Sequence, residues 1–379
     1  MQHGRAKRVI VIGAGPIGLA AALGARDRGF DVIVLERDEV GASLRRWGPT
    51  RFFTPLRMNW SAGVPPAGPP PSRRRDAAAP AGEDAGAPDD LLTGPEFADR
   101  VLVPAAAKLD VRTHTRVVSV SRRGLTRTDY AGHPLRAERP FRVLTDADDV
   151  LEADVILDAT GSTAVPLPYA SRGEGRVDAI RTLGELHARR EELRGKRVLL
   201  VGHGHSAANA LAVLRDAGAE VTWAVRTANG RPCEEIANDP LPERQRVVAA
   251  ANELASEVRV ERRAMVESVA RNNGHIDVGL TGNRRTEVDA VVALTGYRPA
   301  SDYASELALE ISPVTEGGAR LYRAISKITD CLCVPSVAEE DFATGEPGYY
   351  FVGARAYGRS RTFLLQTGLL QLETILDSL

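Results

Sequence analysis

An α/β fold built from two copies of one β-α-β unit is what this sequence of 379 residues predicts, and three observations carry it. The first is a repeat: Arg8-Val-Ile-Val-Ile-Gly13-Ala-Gly15-Pro-Ile-Gly18 is matched by Arg197-Val-Leu-Leu-Val-Gly202-His-Gly204-His-Ser-Ala207. The second is that each copy runs on into a helical stretch, about 16–28 and 206–217, closed by Gly29 or Gly218. The third is a second apolar strand after each helix, Asp31-Val-Ile-Val-Leu-Glu36 and Glu220-Val-Thr-Trp-Ala-Val-Arg226. Spacing agrees between the copies to within one residue, which marks a dinucleotide-binding unit used twice.

Each element has a physical reason. The opening strands are continuous apolar runs, as expected of strands covered on both faces in a parallel sheet. In each turn the first glycine (Gly13, Gly202) permits the sharp bend. The second (Gly15, Gly204) lets backbone approach a pyrophosphate, and the third small residue (Gly18, Ala207) lets helix and strand pack closely. Pro16 and Ile17 in one copy, and His205 and Ser206 in the other, open the helix, where free N–H groups and the helix dipole attract phosphate.

The copies differ where a ribose would lie. Glu36, followed by Arg37, ends the first unit; a carboxylate accepts from ribose hydroxyls and repels a 2′-phosphate, so this site reads as FAD or NAD. Arg226, with Arg231 nearby, ends the second and suits a 2′-phosphate, so this site reads as NADPH; a solvated arginine in an arginine-rich chain is the alternative. His203 and His205 in the second loop either donate to the pyrophosphate or ribose or stand in solvent.

Composition narrows the class. Hydrophobic residues make up 43% and charged residues 26%, enough for a sizeable core, and the length suits two or three nucleotide-sized units. The net charge of −1 argues against a polyanion-binding or strongly basic membrane-surface protein. Lysine occurs only at positions 7, 108, 196 and 327, so lysine-based covalent chemistry has few candidates. Cys233, Cys331 and Cys333 offer no C-x-x-C pair, which disfavours a disulfide framework or four-ligand zinc. The basic N-terminus precedes a glycine-broken apolar run and reads as a phosphate turn, not a signal peptide; the expected compartment is the cytosol. No spacing suggests a metal site, and no G-x-S-x-G elbow is present.

With these residues in view, the chain resembles, over almost its whole length, the two-dinucleotide-binding-domain flavoproteins. That superfamily includes the disulfide reductases and the flavin-containing, Baeyer–Villiger and N-hydroxylating monooxygenases. Asp158-Ala-Thr160-Gly161 and Leu294-Thr295-Gly296-Tyr297 match its crossover segments. Thr115-Arg-Val117-Val-Ser-Val120 is similar to its adenine-reading strand. Tyr349-Tyr-Phe-Val-Gly353 followed by a helix from about Thr362 and Phe363 is similar to its segment facing the flavin. Arg46 and Trp47 lie in a stretch loosely similar to the monooxygenase G-G-x-W loop. The resemblance implies two Rossmann-like domains, the second inserted in the first. It places FAD on 1–165 and 297–379 and NADPH on 166–296. It assigns Gly13, Gly15, Pro16, Ile17, Gly18, Glu36, Arg37, Arg46, Trp47, Val117, Thr160, Gly161, Gly353, Thr362 and Phe363 to FAD. To NADPH it assigns Gly202, Gly204, His205, Ser206, Ala207, Arg226 and Gly296. Two departures stand out. Where the family often has Gly-Asp, with the acid on a ribityl hydroxyl, this chain has Gly353-Ala354-Arg355. Arg355 or another group then takes over that contact, or the ribityl chain is held differently. The monooxygenase fingerprint before the second turn is degraded around Leu183-Gly184-Glu-Leu-His187.

Elsewhere, residues 62–90 read as a Pro-, Ala- and Gly-rich insertion, disordered or else a lid. Thr93-Gly94-Pro95-Glu96 starts a helix, and 111–157 suggests a small β-meander on the FAD domain. Trp47 to Trp60 reads as a flavin wall or as a loop whose aromatics merely pack. Tyr357 to Thr362 either presents polar groups to the flavin or caps a helix through Ser360 or Thr362. Cys331 and Cys333 share a strand face, as inert thiols or a redox pair.

The function expected is an FAD-dependent, NADPH-using oxidoreductase. The resemblance favours a monooxygenase acting through a flavin C4a-hydroperoxide on a small-molecule nitrogen, sulfur or carbonyl, with O2 as co-substrate. A flavin dehydrogenase, oxidase or reductase without oxygen insertion is the alternative, and a nucleotide-bound sensor a third. No catalytic side chain is singled out, and neither nucleic acid nor membrane is an expected partner.

Overall fold

In the computed structural model, which describes residues 6–60, 89–237, 239–328 and 337–379, the strand Arg8–Ile12 lies between Asp31–Leu35 and Val155–Asp158, parallel to both. Tyr349–Phe351 and Asp110–Arg112 extend this sheet at its two edges, all five strands parallel. The register Val11↔Val34 and Val11↔Leu157 keeps Val9, Ile10 and Val11 wholly buried, as a two-sided core strand requires. The helix Pro16–Asp27 follows with proline in its first turn, and Gly29 adopts φ 87° just past its end. The helix Leu365–Asp377 packs along it, with Arg28 paired to Glu373 at 2.9 Å.

By its contacts the chain divides into two units. The first comprises 1–44, 55–165 and 298–379, the second 45–54 and 166–297. In the first, Val117–Arg122, Phe141–Thr145 and Val150–Ala153 form the antiparallel meander. Arg122 and Arg136 converge there on Glu346, all three buried, at 2.8 and 2.9 Å. Thr93 caps its helix through a reciprocal pair with Glu96. That helix widens to a π-turn over Ala98–Leu102 before Val103–Ala106. Pro104 explains the widening, since it has no N–H to donate to the preceding turn and its ring crowds the carbonyl there.

The second unit repeats the first sheet. Arg197–Val201 lies between Glu220–Ala224 and Ala290–Ala293, with Arg259–Glu261 and Ala179–Ile180 outside, all parallel. The helix His205–Asp216 is backed by Pro242–Leu254, and the core between them centres on Leu211, Leu214 and the wholly buried Trp223. A three-stranded antiparallel sheet, Val266–Asn272, His275–Leu280 and Arg284–Val288, covers the other face.

One boundary falls differently by contacts, and one helix start is corrected. Residues 45–54 belong with the second unit, because a side chain on Gly184 would lie 2.2 Å from the Arg46 carbonyl and Gly48 abuts His187. Arg46 and Trp47, assigned to FAD by resemblance, therefore pack within that unit. The C-terminal helix begins at Leu365, not Thr362, and has no side-chain cap. Among the described residues no helix is long and apolar enough to cross a membrane. The insertion 62–90 falls, apart from Asp89 and Asp90, outside the described residues, as do Cys331 and Cys333.

Candidate cofactor sites

Gly13 adopts φ 107°, and a methyl there would sit 2.8 Å from the Ala159 carbonyl oxygen. Only glycine fits both conditions. A methyl on Gly18 would lie 2.0 Å from the Gly13 carbonyl, whereas Gly15 faces open space with nothing within 4 Å. The helix that starts at Pro16 has no side-chain cap, so its first N–H groups point outward at an uncovered approach. Glu36 closes this lip: its carboxylate accepts from the N–H of Ala14 at 2.8 Å and of Asp38 at 2.9 Å. Those bonds hold one face of the carboxylate and leave lone pairs for hydroxyl donors. Arg37 is exposed and leans on Asp38. An open phosphate cradle beside a fixed acid is a donor and acceptor set that fits the pyrophosphate and ribose of FAD.

Ala159 donates to the Ile12 carbonyl, which brings Thr160 and Gly161, at φ 76°, beside the turn. Thr160 Oγ1 donates to Asp158 at 2.7 Å and lies 3.2 Å from the Tyr303 hydroxyl. Gly353 meets the turn from another direction, against Ile17. Val117 is buried at the start of the meander, where the register shifts before Ser119. Ser360 and Thr362 bond each other at 2.9 Å and do not cap the helix, and Phe363 packs on Gly368 and Tyr357. Arg355 does not replace the ribityl-binding acid. It is wholly buried and its guanidinium pairs with Asp158 at 3.3 Å.

The second turn repeats this geometry with different edges. Gly202 has φ 122°, and a methyl there would lie 2.4 Å from the Leu294 carbonyl. Gly204 is open, like Gly15. Trp223 Nε1 donates to the Gly202 carbonyl at 2.7 Å, a brace with no counterpart in the first turn's sequence. His205 is the first helical residue, exposed, with its ring 5.2 Å from Phe53; Ser206 follows and Ala207 is buried. Gly296, at φ 100°, lies just past the strand Ala290–Ala293. Arg226 is exposed and has no ion-pair partner among the described residues, whereas Arg231 is paired with Glu235. A cavity of about 560 Å³ opens beside His205, walled by Arg231, Glu235, Asp239 and Asn252. Sequence reasoning missed it, because its walls come from a loop without periodicity and one helix face.

The local chemistry is quiet apart from the charges. Burial pushes the Cys233 thiol up to about 11, so it stays protonated and unreactive near neutrality. Burial and the neighbouring Asp158 carboxylate raise the hydroxyls of Tyr303 and Tyr349, which therefore act as donors. Burial, with Arg190 nearby, lowers His187 and keeps it neutral. Only one group of His and acidic residues among those described could chelate a metal, His275, Asp277 and Glu287, on the antiparallel sheet of the second unit.

No curated protein sequence matches the chain. Among solved structures, the bacillithiol disulfide reductase from Staphylococcus aureus is similar at TM-score 0.71 and 18% identity, over 99% of this chain and 98% of that one. The flavin-containing monooxygenase from Stenotrophomonas maltophilia gives 0.66 and 19%, over 98% of each. The thioredoxin reductase from T. acidophilum gives 0.64 and 18%, over 99% of each. At these identities the likeness is one of fold. The family model described as pyridine nucleotide-disulphide oxidoreductase matches residues 7–338, and the chain belongs to that family of FAD- and pyridine-nucleotide-dependent oxidoreductases.

Proposed function

We propose that the chain is an FAD-dependent oxidoreductase that takes its electrons from NADPH and uses them on a small molecule at the flavin itself, by oxygen insertion. The observation that carries the choice of NADPH is Arg226. It stands exposed just past the end of Glu220–Ala224 with no ion-pair partner among the described residues, one residue beyond Val225, which holds the place of Glu36 in the first unit. A guanidinium there attracts a 2′-phosphate, and a carboxylate repels one.

When bound, the two cofactors supply hydride transfer and the activation of oxygen. The protein's own residues have simpler tasks. Gly13, Gly15 and the first helical turn cradle one pyrophosphate, and Glu36 takes the ribose hydroxyls. Gly202, Gly204, His205 and Ser206 serve the second pyrophosphate, with Arg226 on the 2′-phosphate. Oxygen insertion follows the resemblance to the flavin-containing monooxygenases, and Cys233, buried and protonated, offers no thiol chemistry against it. The substrate expected is a small nitrogen- or sulfur-containing molecule or a carbonyl compound.

Reduction without oxygen insertion is the second reading. Cys331 and Cys333, two residues apart in the sequence, favour it. Product analysis under isotopically labelled O2 separates the two: label in the product, with NADPH consumed in equal amount, supports insertion. Substrate-dependent NADPH oxidation that proceeds equally without O2, and is lost on changing both cysteines to serine, supports the disulfide reaction instead.

A further inference from the structure

We propose that the buried Asp158–Arg355 pair is a positioning device that fixes the two outer walls of the FAD turn. The proposal rests on the reading of Gly13–Gly18 as the FAD turn. Two chain segments press on that turn from outside. One is Ala159, whose carbonyl lies 2.8 Å from where a side chain on Gly13 would begin. The other is Gly353, at φ 60°, where a side chain would begin 2.7 Å from Ile17. Asp158 immediately precedes the first wall, and Arg355 follows the second by two residues. The two walls continue neighbouring strands, bonded by the Val352 N–H to the Asp158 carbonyl at 3.0 Å, and the ionic contact adds a side-chain tie between them behind the turn.

Hydrogen bonds hold both sides of this contact, while Arg355 Nε itself makes only the ionic approach. Arg355 Nε lies 3.3 Å from Asp158 Oδ2, with both side chains wholly buried. Its Nη1 donates to the Glu316 carbonyl at 2.8 Å and its Nη2 to Ser301 Oγ at 2.9 Å, while the guanidinium carbon sits 3.9 Å from the centre of the Phe351 ring. Asp158 Oδ2 accepts from Tyr303 at 2.6 Å and Tyr349 at 2.9 Å, and Oδ1 accepts from Thr160. With no exposed surface, neither charge can touch a dinucleotide; the pair acts through the backbone. A buried ion pair is a poor stabiliser compared with apolar packing, so its consequence here is geometric. Arg122, Arg136 and Glu346 form a second buried charge cluster in the same unit; Glu346 precedes the strand Tyr349–Phe351, but the pairs the cluster's side chains make are with one another and not with Asp158, Ala159 or Gly353, which makes them the control.

The test compares apo proteins by FAD titration calorimetry and by thermal unfolding. R355M is expected to unfold cooperatively yet bind FAD at least about ten-fold more weakly. R355K, which keeps the charge, is expected to recover most of that loss. Y303F, a milder change that leaves both charges in place, is expected to weaken FAD about three-fold. E346Q is expected to lower the unfolding temperature without changing FAD affinity. The proposal is overturned if R355M and Y303F bind FAD as wild type does, or if E346Q weakens binding as much as R355M. A wild-type chain that binds no FAD overturns the cofactor reading and this proposal together. Wild-type binding with unchanged variants overturns the positioning role alone.

Discussion

The two dinucleotide turns share a backbone and differ at their edges. Gly13 and Gly202 both take positive φ, both lie against the carbonyl of the residue just past a neighbouring strand (Ala159 after Val155–Asp158, Leu294 after Ala290–Ala293), and both precede an open second glycine. The third small residue is glycine in one and alanine in the other. Past the second strand the first unit carries Glu36, whereas the second carries Val225 there and Arg226 one residue later. Steric rules of the β-α-β unit dictate the shared part, whereas charge complementarity to different ligands explains the rest. The first turn is also the tighter, since a methyl on Gly18 would meet the Gly13 carbonyl while the second turn accommodates Ala207.

The largest expected effect breaks that steric asymmetry. G18A forces helix and turn apart, and the purified protein is expected to carry no FAD, read from the loss of its visible absorption. The matching change in the other unit, A207G, is expected to cost only about 1 kcal/mol, from helix propensity, and to leave nucleotide use intact. Next comes the buried triad of the first unit. E346A leaves two buried guanidinium groups without their acid and is expected to cost about 3–5 kcal/mol in denaturant unfolding. Burial alone would raise the Glu346 carboxyl, but hydrogen bonds from Arg136 and Arg122 outweigh it and hold it below its ordinary value of 4.5. A carboxyl lowered in the folded state stabilises fully above its unfolded pKa, and that stability disappears as pH falls through the folded value. E346Q is therefore expected to flatten the acid limb of the stability curve below about 4.5 and to leave the neutral region less affected.

Charge at the ribose gives a smaller effect. R226A is expected to raise KM for NADPH about ten- to hundred-fold with kcat kept and NADH unchanged, the pattern of lost uniform binding. If NADPH and NADH suffer equally, Arg226 does not read the 2′-phosphate. The smallest effect on activity is none: C233S is expected to leave turnover within error, because the thiol is buried and protonated, while the hydroxyl it puts in the core lowers stability by about 1–3 kcal/mol.

What the sequence made legible follows a physical pattern. Both turns and their helices were readable because strand, glycine and helix signals are local and repeat at one spacing. Glu36 and Arg226 were readable because each ends a strand whose start the glycines locate. Arg355 was not, since nothing near it in sequence says that its partner is Asp158. That 45–54 packs with the second unit was hidden for the same reason, its neighbours Gly184 and His187 being distant in sequence. Ser360 and Thr362 look like helix caps but satisfy each other, so the helix starts later.

The central claim is that two similar turns hold two different dinucleotides, FAD at Glu36 and NADPH at Arg226. Anaerobic mixing of the purified protein with NADPH or NADH, followed by the visible flavin band, tests it most directly. The account predicts a yellow protein bleached faster by NADPH than by equal NADH, with that preference lost in R226A and the yellow colour weakened in E36A. A colourless protein, or one bleached equally by both nucleotides in wild type and R226A, would contradict it.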